Sequence, residues 1–364
     1  MILIDIIAGA RPNFMKIAPI IDALIAARQR GSLLRHRLIH TGQHYDQNMS
    51  GEFFKQLHIP EPDINLEVGS GTQAEQTAAI MVSYERVLLE KRSALCVVVG
   101  DVTSTLACSI AARKLGVAVA HVEGGIRSGD WAMPEEINRV VTDAITNWFF
   151  TTSETANENL RRSGVTHDRI FFVGNTMIDT LLKHLPRLRP PAFWDELNLQ
   201  PGQYVVVTLH RPANVDTAPQ LLGLLRTLAE GAGGLPVIFP VHPRTAKSLR
   251  ALDGPIPGMH YVDPQGYLEF NWLVKHAKGV ITDSGGVTEE TTVMGIPCLT
   301  LRDTTERPET VTVGTNELIG ADPSGLGPAL ARLMAGQWKK GAIPEKWDGK
   351  AARRIVDHLE SLLV

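Results

Sequence analysis

The stretch VITDSGGVTEE, which ends at Glu290, has residue types that suit a bound anion. An apolar run precedes Asp283 and Ser284, which are helix-capping residue types, and Gly285 and Gly286 open a segment with helical character. The two glycines allow a ligand close to the backbone, and the N–H groups of a first helical turn favour an anion. Glu290 lies nearly two turns further along, where it can accept hydrogen bonds from ribose hydroxyls. The stretch predicts a nucleotide diphosphate site; a plain strand-to-helix turn is the alternative interpretation.

Four carboxylates in the first half of the chain are candidates for acid–base chemistry. Asp101 directly follows an apolar strand, so it is either a helix cap or a catalytic group. Glu123 precedes a glycine loop rather than a helix, which argues against capping. Glu135 and Glu136 open a predicted helix, where negative charge is normal. Carboxylates gathered at one site would suit proton abstraction and donation, because repulsion and burial raise one pKa toward neutrality.

Basic residues also follow predicted strands. Arg11 and Lys16 flank the start of the first helix, where they would either clamp a diphosphate or sugar or remain solvated surface cations. In the second half of the chain, His210-Arg211 follows one strand, and His242 and Arg244 follow the next. A single histidine is more often structural, but two such clusters favour ligand contact.

The remaining patterns narrow the class of protein. The sequence lacks CxxC, HExxH, GxGxxG, GxSxG and P-loop motifs, so we expect neither a metal nor a nicotinamide or flavin cofactor. A net charge of −3 gives no reason to expect nucleic acid or membrane binding. The three cysteines have apolar neighbours, as buried free thiols do in a reducing compartment. No signal peptide is apparent, and we expect a cytoplasmic protein.

The elements that must position these residues alternate between strand and helix along 364 residues. This alternation predicts an α/β protein with two doubly wound domains, residues 1–184 and 203–350, joined by a proline-rich linker at 185–202. Almost every polar cluster follows a strand, and ligands of such sheets bind at the carboxyl ends of the strands. We therefore expect the two domains to face each other across one cleft.

Eight motifs, taken in order, resemble those of the UDP-N-acetylglucosamine 2-epimerases. They are GARPNFMK (9–16), TGQHYD (41–46), GDVTST (100–105), HVEGGIR (121–127), PEEINR (134–139), TLHR (208–211), DSGG (283–286) and RDTTERPE (302–309). The ordered set covers most of the chain and is far more specific than any one motif. The resemblance implies the GT-B architecture, two Rossmann-like domains with the last helix, 351–364, packing back on the first. It also implies no metal and no nicotinamide.

The resemblance further implies roles by position. Asp101, Glu123 and Glu135 match the catalytic carboxylates, and His210 matches the catalytic histidine. The residues expected to bind the UDP-sugar are Arg11, Lys16, Arg139, His242, Ser284, Gly285, Gly286, Glu290 and Arg307.

The implied function is epimerisation at C2 of UDP-N-acetylglucosamine to UDP-N-acetylmannosamine by a homodimer, through UDP elimination and re-addition, for cell-surface polysaccharide precursors. Alternatives within the family are a hydrolysing enzyme that releases N-acetylmannosamine and a 2-epimerase of another UDP-N-acetyl sugar. A GT-B glycosyltransferase would share the nucleotide site but has no need of three carboxylates. A non-catalytic sensor of sugar nucleotides would tolerate their loss.

One departure from the family concerns regulation. Some bacterial members bind a second substrate molecule through a segment similar to Gln-His-Arg-Gln, whereas this chain has Tyr45 and Asp46 after Gln43-His44. The loss of a cation and the gain of a negative charge predict weak or absent activation by a second substrate. A simple polar turn is the alternative interpretation.

Overall fold

Two units of α/β structure make up the chain in the computed structural model, which describes residues 1–9, 11–42, 56–57, 59–250, 254–320 and 323–364. Unit 1 comprises Met1–Lys183 and Glu345–Val364, and unit 2 comprises His184–Pro344. Each contains a parallel sheet with helices between most successive strands. The predicted α/β class and the two Rossmann-like domains are confirmed. No helix in the described ranges is both long and apolar enough to cross a bilayer.

Unit 1 is built on a seven-stranded sheet with the order β3-β2-β1-β4-β5-β6-β7. Its strands are β1 (Ile2–Ala8), β2 (Leu34–His40), β3 (Ile64–Asn65), β4 (Leu95–Val99), β5 (Ala118–Val122), β6 (Trp148–Thr151) and β7 (Ile170–Phe172). Its helices are α1 (Arg11–Gln29), α2 (Gln73–Glu90), α3 (Thr103–Lys114), α4 (Pro134–Ile145), α5 (Glu154–Arg162), α6 (Thr176–His184, whose last residue falls in unit 2) and the C-terminal Ala351–Leu363. The direction of strand order reverses between β1 and β4.

Hydrophobic patterning explains these elements. Every residue of β4 is buried, as expected for a strand without polar side chains. Helix α1 buries Phe14, Ile17 and Leu24 on one face. Helix α2 begins with the predicted capping box, in which Thr72 and Glu75 exchange hydrogen bonds.

Helix α4 is amphipathic, but it buries its polar face and exposes its apolar face. It buries polar residues, among them Asn138, Arg139 and Asp143, whereas Ile137 and Val141 are 45% and 38% exposed. These two apolar residues are four positions apart and therefore share the outward face. The polar face of α4 is directed into unit 1, toward the loops that carry the candidate carboxylates.

Unit 2 has a six-stranded parallel sheet with the order β10-β9-β8-β11-β12-β13. Its strands are β8 (Val205–Thr208), β9 (Val237–Pro240), β10 (Met259–Val262), β11 (Gly279–Thr282), β12 (Cys298–Thr300) and β13 (Asn316–Leu318). Its helices are α7 (Phe193–Glu196), α8 (Pro212–Val215), α9 (Ala218–Gly231), α10 (Pro243–Leu249), α11 (Tyr267–His276), α12 (Gly285–Met294), α13 (Pro308–Thr312) and α14 (Leu326–Met334). The strand order reverses between β8 and β11.

Residues 185–202, which we expected to form a linker, fold as part of unit 2. They contain a 3₁₀ turn at Leu185–Arg187 and helix α7. Trp194 meets the ring of Tyr204 edge-on, with centroids 5.6 Å apart, and Leu199 is buried in the same apolar cluster. Burial of these side chains makes the segment part of the core of unit 2.

The last residues of the chain return to unit 1. Trp347 is buried and donates a hydrogen bond to the carbonyl of Thr152. The following helix, α15 (Ala351–Leu363), packs against α1. Asp179 caps the start of α15, because its carboxylate accepts hydrogen bonds from the N–H groups of Ala351 (3.1 Å) and Ala352 (2.7 Å).

Candidate active site

Asn13 joins the two loops at the point where the strand order of unit 1 reverses. Its side chain accepts a hydrogen bond from the N–H of Gly9 (3.1 Å) after β1 and donates one to the carbonyl of Val99 (2.8 Å) at the end of β4. Open α/β sheets bind ligands at such a reversal. The loops that follow β1 and β4 are thereby held together at the predicted edge.

Lys16 and Glu123 form a largely buried ion pair beside these loops. Lys16 Nζ lies 2.7 Å from Glu123 Oε2, and the side chains are 12% and 3% exposed. Gly100 leaves room for the lysine, since a Cβ at that position would lie 3.1 Å from Nζ. Lys16, predicted as a substrate-binding residue, therefore lies directly against a predicted catalytic carboxylate.

Glu123 has a left-handed backbone with φ of 71°. This conformation costs a non-glycine residue about 1–2 kcal/mol. The N–H of Glu123 donates to the carbonyl of Phe150 at 2.8 Å, which fixes the loop to β6. Two glycines follow, and the second, Gly125, has no room for a Cβ, which would lie 2.4 Å from the carbonyl oxygen of Ala156. The local fold thus forces a carboxylate-bearing residue into a conformation that usually belongs to glycine.

Arg139 connects two carboxylates. Its guanidinium group donates to Asp101 and to Glu136. Asn138, its neighbour on α4, donates to the backbone carbonyl of Asp101 at 2.8 Å. Arg139, which we expected to bind substrate, orients Asp101 in this structure.

The adjacent residues Glu135 and Glu136 have different environments. Glu136 is buried and accepts hydrogen bonds from the N–H groups of Ser128 and Gly129, from the Ser128 hydroxyl and from Arg139. Burial by itself raises the pKa of Glu136, but these hydrogen bonds prevail and lower it below its usual value. Glu135 is half-buried and has no hydrogen bond or ion pair to the part of the chain that the structure describes. Glu136 therefore has a structural role, and Glu135 is the carboxylate that remains available.

His121 and Asp143 form hydrogen bonds with the loops that carry Asp101 and Glu123. This support was not predicted from the sequence. His121 lies 2.8 Å through Nε2 from the carbonyl of Gly100 and 2.7 Å through Nδ1 from Asp143 Oδ1. Asp143 also accepts hydrogen bonds from the N–H of Gly125 and from Arg127. Burial raises the pKa of Asp143, and its contacts with His121 and Arg127 outweigh burial and lower it.

In unit 2, the reversal between β8 and β11 brings His210 to Asp283. The two side chains are 2.8 Å apart, from Nδ1 to Oδ1. Asp283 is fully buried and also accepts hydrogen bonds from the backbone N–H groups of His210 and Arg211 and from the side chain of Asn214. Burial raises the pKa of Asp283, but the bonds from His210, Arg211 and Asn214 prevail and lower it.

Asp283 is a functional candidate that the sequence analysis treated only as a helix-capping type. The structure places Ser284, not Asp283, at the N-cap of α12. The sequence did contain a signal for this role. A carboxylate directly follows a buried strand, and a histidine follows a neighbouring strand of the same domain.

The residues of the predicted anion site of unit 2 are found at the start of α12. Ser284, Gly285 and Gly286 lie together there. The ion pair of Arg302 and Glu306, with contacts of 2.7 and 2.8 Å, lies beside Gly285. This pair was not predicted from the sequence, although both residues belong to the motif RDTTERPE (302–309).

Glu290, further along α12, and Arg307, at the N-cap of α13, are both buried. Asn271 donates to Glu290 Oε1 at 3.3 Å. Burial raises the pKa of Glu290 to about 7, against the lowering effect of Asn271 and Tyr267. Arg307 forms an ion pair with Glu289.

The remaining predicted basic residues are His242, Arg11 and Arg244. His242 is exposed, and its ring centroid lies 5.8 Å from that of His210. The side chains of Arg11 and Arg244, and the whole segment Gln43–Asp46, lie outside the described residues. Within those residues, no group of histidine, cysteine, aspartate and glutamate side chains could hold a metal ion.

Comparisons with known proteins agree with the motif series. The family model described as UDP-N-acetylglucosamine 2-epimerase matches residues 26–360. The UDP-N-acetylglucosamine 2-epimerase of Methanocaldococcus jannaschii is 40% identical over 97% of each chain. The UDP-2,3-diacetamido-2,3-dideoxy-D-glucuronate 2-epimerase of Pseudomonas aeruginosa is 37% identical over 98% of this chain and 99% of its own. The crystal structure of the Methanocaldococcus jannaschii enzyme in complex with UDP-GlcNAc and UDP matches with a TM-score of 0.87 and 39% identity, covering 99% of this chain and 100% of that one. The chain therefore belongs to the UDP-N-acetylglucosamine 2-epimerase family.

Proposed function

We propose that this protein interconverts UDP-N-acetylglucosamine and UDP-N-acetylmannosamine by epimerisation at C2, without hydrolysis. The observation that carries the proposal is the set of carboxylates at the strand ends of unit 1, where Glu123 pairs with Lys16 and Asp101 pairs with Arg139. Family membership and the UDP-GlcNAc bound to the Methanocaldococcus jannaschii relative support it.

The proposed reaction proceeds by elimination and re-addition. One carboxylate removes the proton from C2 while the C1–O bond to UDP breaks, which leaves a C1=C2 double bond. UDP then adds back to C1, and a proton is delivered to the opposite face of C2. Asp101, Glu123 and Glu135 are the proposed proton-transfer groups, because general acid–base catalysis needs positioned carboxylates near both faces of C2.

Unit 2 is proposed to bind the UDP part of the substrate. The N–H groups at the start of α12 and its dipole would stabilise the diphosphate and the charge of departing UDP. Glu290 is proposed to accept hydrogen bonds from the ribose, with Arg307 nearby on α13's N-terminal side. His210 is proposed to transfer a proton at Nε2.

A second candidate substrate is a UDP-diacetamido uronic acid. The Pseudomonas aeruginosa relative supports it, since that protein acts on such a sugar by its name and is 37% identical over nearly the whole chain. The two candidates differ by a carboxylate at C5 and by an acetamido group at C3. Turnover measured on both substrates at equal concentration decides between them.

The experiment that tests the proposed reaction is proton NMR with UDP-N-acetylglucosamine in deuterated water. We expect deuterium at C2 and the appearance of UDP-N-acetylmannosamine. Free N-acetylmannosamine as the only sugar product would favour hydrolysis instead. Transfer of the sugar to an added acceptor, without exchange at C2, would favour a glycosyltransferase.

Glu123→Gln tests the role of this carboxylate in the reaction, because the substitution keeps the shape of the side chain and removes its charge. The variant should lose about 10²–10⁴-fold in rate while it retains UDP binding. Full activity in Glu123→Gln would contradict the role of this carboxylate.

The proposal includes a homodimer and a supply of UDP-N-acetylmannosamine for cell-surface polysaccharide precursors. The outward apolar face of α4, which contains Ile137 and Val141, supports the homodimer, since a second copy would remove this face from water.

A further inference from the structure

We propose that Asp283 is a positioning residue that holds His210 in a single tautomer, with the proton on Nδ1 and a bare Nε2. This inference rests on the proposed function for its catalytic meaning. The proton placement itself can be measured without any reaction.

The donors around Asp283 require its carboxylate to be an acceptor. Asp283 is fully buried and accepts the N–H of Arg211 at 2.9 Å and the side-chain amide of Asn214 at 3.1 Å. The N–H of His210 lies 3.2 and 3.1 Å from the two oxygens. An ionised carboxylate accepts hydrogen bonds and donates none. The short contact with His210 Nδ1 therefore requires a proton on Nδ1.

The same carboxylate fixes the ring and the backbone that carries it. Its three other donors all belong to residues 210–214, the loop and short helix that follow β8. Asn214 also contacts the carbonyl of Leu301 at 3.3 Å, and Arg211 Nε donates to the Asp283 carbonyl at 3.1 Å. Rotation of the imidazole is thereby restricted at Cα and at Nδ1.

Nε2 is the nitrogen that this arrangement leaves for proton transfer. The His210 side chain is 41% exposed, whereas Asp283 is completely buried behind it. Among the described residues, the adjacent Arg211 and His242, whose ring centroid lies 5.8 Å from that of His210, are further charged or titratable neighbours. With Nδ1–H retained by Asp283, His210 can accept one proton at Nε2 and return it, and the carboxylate stabilises the imidazolium while the proton is held.

Asp283→Asn gives a directional test. One oxygen of Asp283 accepts Arg211 N–H and Asn214, so the amide oxygen of the variant should take that place. The amide NH₂ then faces His210 Nδ1 and donates to it, which moves the ring proton to Nε2. We expect kcat to fall about 10²–10⁴-fold, as for loss of a general acid–base group, with KM changed much less.

The direct measurement is ¹⁵N NMR of histidine-labelled protein at a pH where His210 is neutral. The chain has 12 histidines, so the His210 signals are identified by comparison with His210→Gln. We expect a protonated Nδ1 and a bare Nε2 in the wild type, and the reverse in Asp283→Asn. A wild-type His210 protonated at Nε2 would overturn the proposal, and this result does not depend on whether a variant folds.

Asn214→Ala is the control for a merely structural role. It removes one donor to Asp283 and weakens the loop, but it leaves the contact at Nδ1. We expect the wild-type tautomer and less than a tenfold loss of kcat. Equal losses in Asn214→Ala and Asp283→Asn, with the same tautomer in both, would show that Asp283 only supports the loop.

Failure of the proposed function has a different signature. If Nε2 of His210 is bare in the wild type but the protein exchanges no C2 proton of the UDP-sugar, the epimerase proposal is contradicted and the tautomer assignment stands.

Discussion

The left-handed backbone at Glu123 predicts an inverted order of stability between glycine and alanine. Glu123→Gly and Glu123→Ala both remove the carboxylate and leave Lys16 in the same altered environment, so their difference isolates the effect of the Cβ. With φ at 71°, the alanine variant retains a strain of about 1–2 kcal/mol that glycine does not have. Glycine is also more flexible than alanine in the unfolded chain, and this flexibility offsets about 0.4–1 kcal/mol of the advantage that glycine has from the absence of strain. We expect Glu123→Gly to be the more stable variant by about 1 kcal/mol.

Glu158, exposed within α5, provides the control position. There alanine should be more stable than glycine by about 1 kcal/mol, because α5 requires ordinary helical dihedrals. Urea unfolding followed by circular dichroism gives the free energy of unfolding for all four variants. If Glu123→Ala is as stable as Glu123→Gly or more stable, the left-handed assignment at this residue is refuted.

Three further results are expected. Burial raises the pKa of Asp179 from 3.8 to about 6, so protonated Asp179 contributes about 3 kcal/mol of stability below pH 3.8 that is lost as the pH rises through 6. Between pH 4 and 7.5, the melting temperature should therefore fall more in the wild type than in Asp179→Asn. Parallel curves for the two proteins would contradict this. Because the pKa of Glu290 is raised to about 7 and the proposed ribose contact needs its ionised form, UDP affinity measured by calorimetry should increase about tenfold from pH 6 to 8 relative to Glu290→Gln. A ratio that is constant over that range would exclude the ionised contact. Ile137→Asp should convert the proposed homodimer to a monomer in light scattering, whereas Ile343→Asp, at a residue in unit 2 that is 55% exposed, should not; equal masses for both variants would remove α4 from the interface.

The sequence predicted much of the placement of the site, because strand ends can be recognised from apolar runs. Asp101, Glu123 and His210 each follow a strand that periodicity identifies, and each lies at the expected sheet edge. Family membership, which the ordered motifs indicated, is confirmed by the family model and by the relatives.

Contacts between distant residues could not be predicted in the same way. The pair of Arg139 and Asp101 spans 38 positions and depends on how α4 is rotated. Asp283 has a residue type common at helix starts, and its hydrogen bonds to the β8 loop became apparent only in the structure. Prolines in 185–202 suggested a linker, whereas the burial of Leu199 depends on packing that composition does not reveal.

The reversed polarity of α4 has a consequence for protein design and for mutational scanning. Methods that score a helix by how well its apolar side chains are buried would favour rotating α4 by about half a turn, which would turn Ile137 and Val141 inward. That rotation would carry Asn138 and Arg139 away from Asp101. Polar substitutions on the outward face should leave the fold of unit 1 unchanged. Apolar substitutions on the inward face, which hydrophobicity scores reward, should remove the contacts that position Asp101 and leave buried hydrogen-bonding partners unpaired.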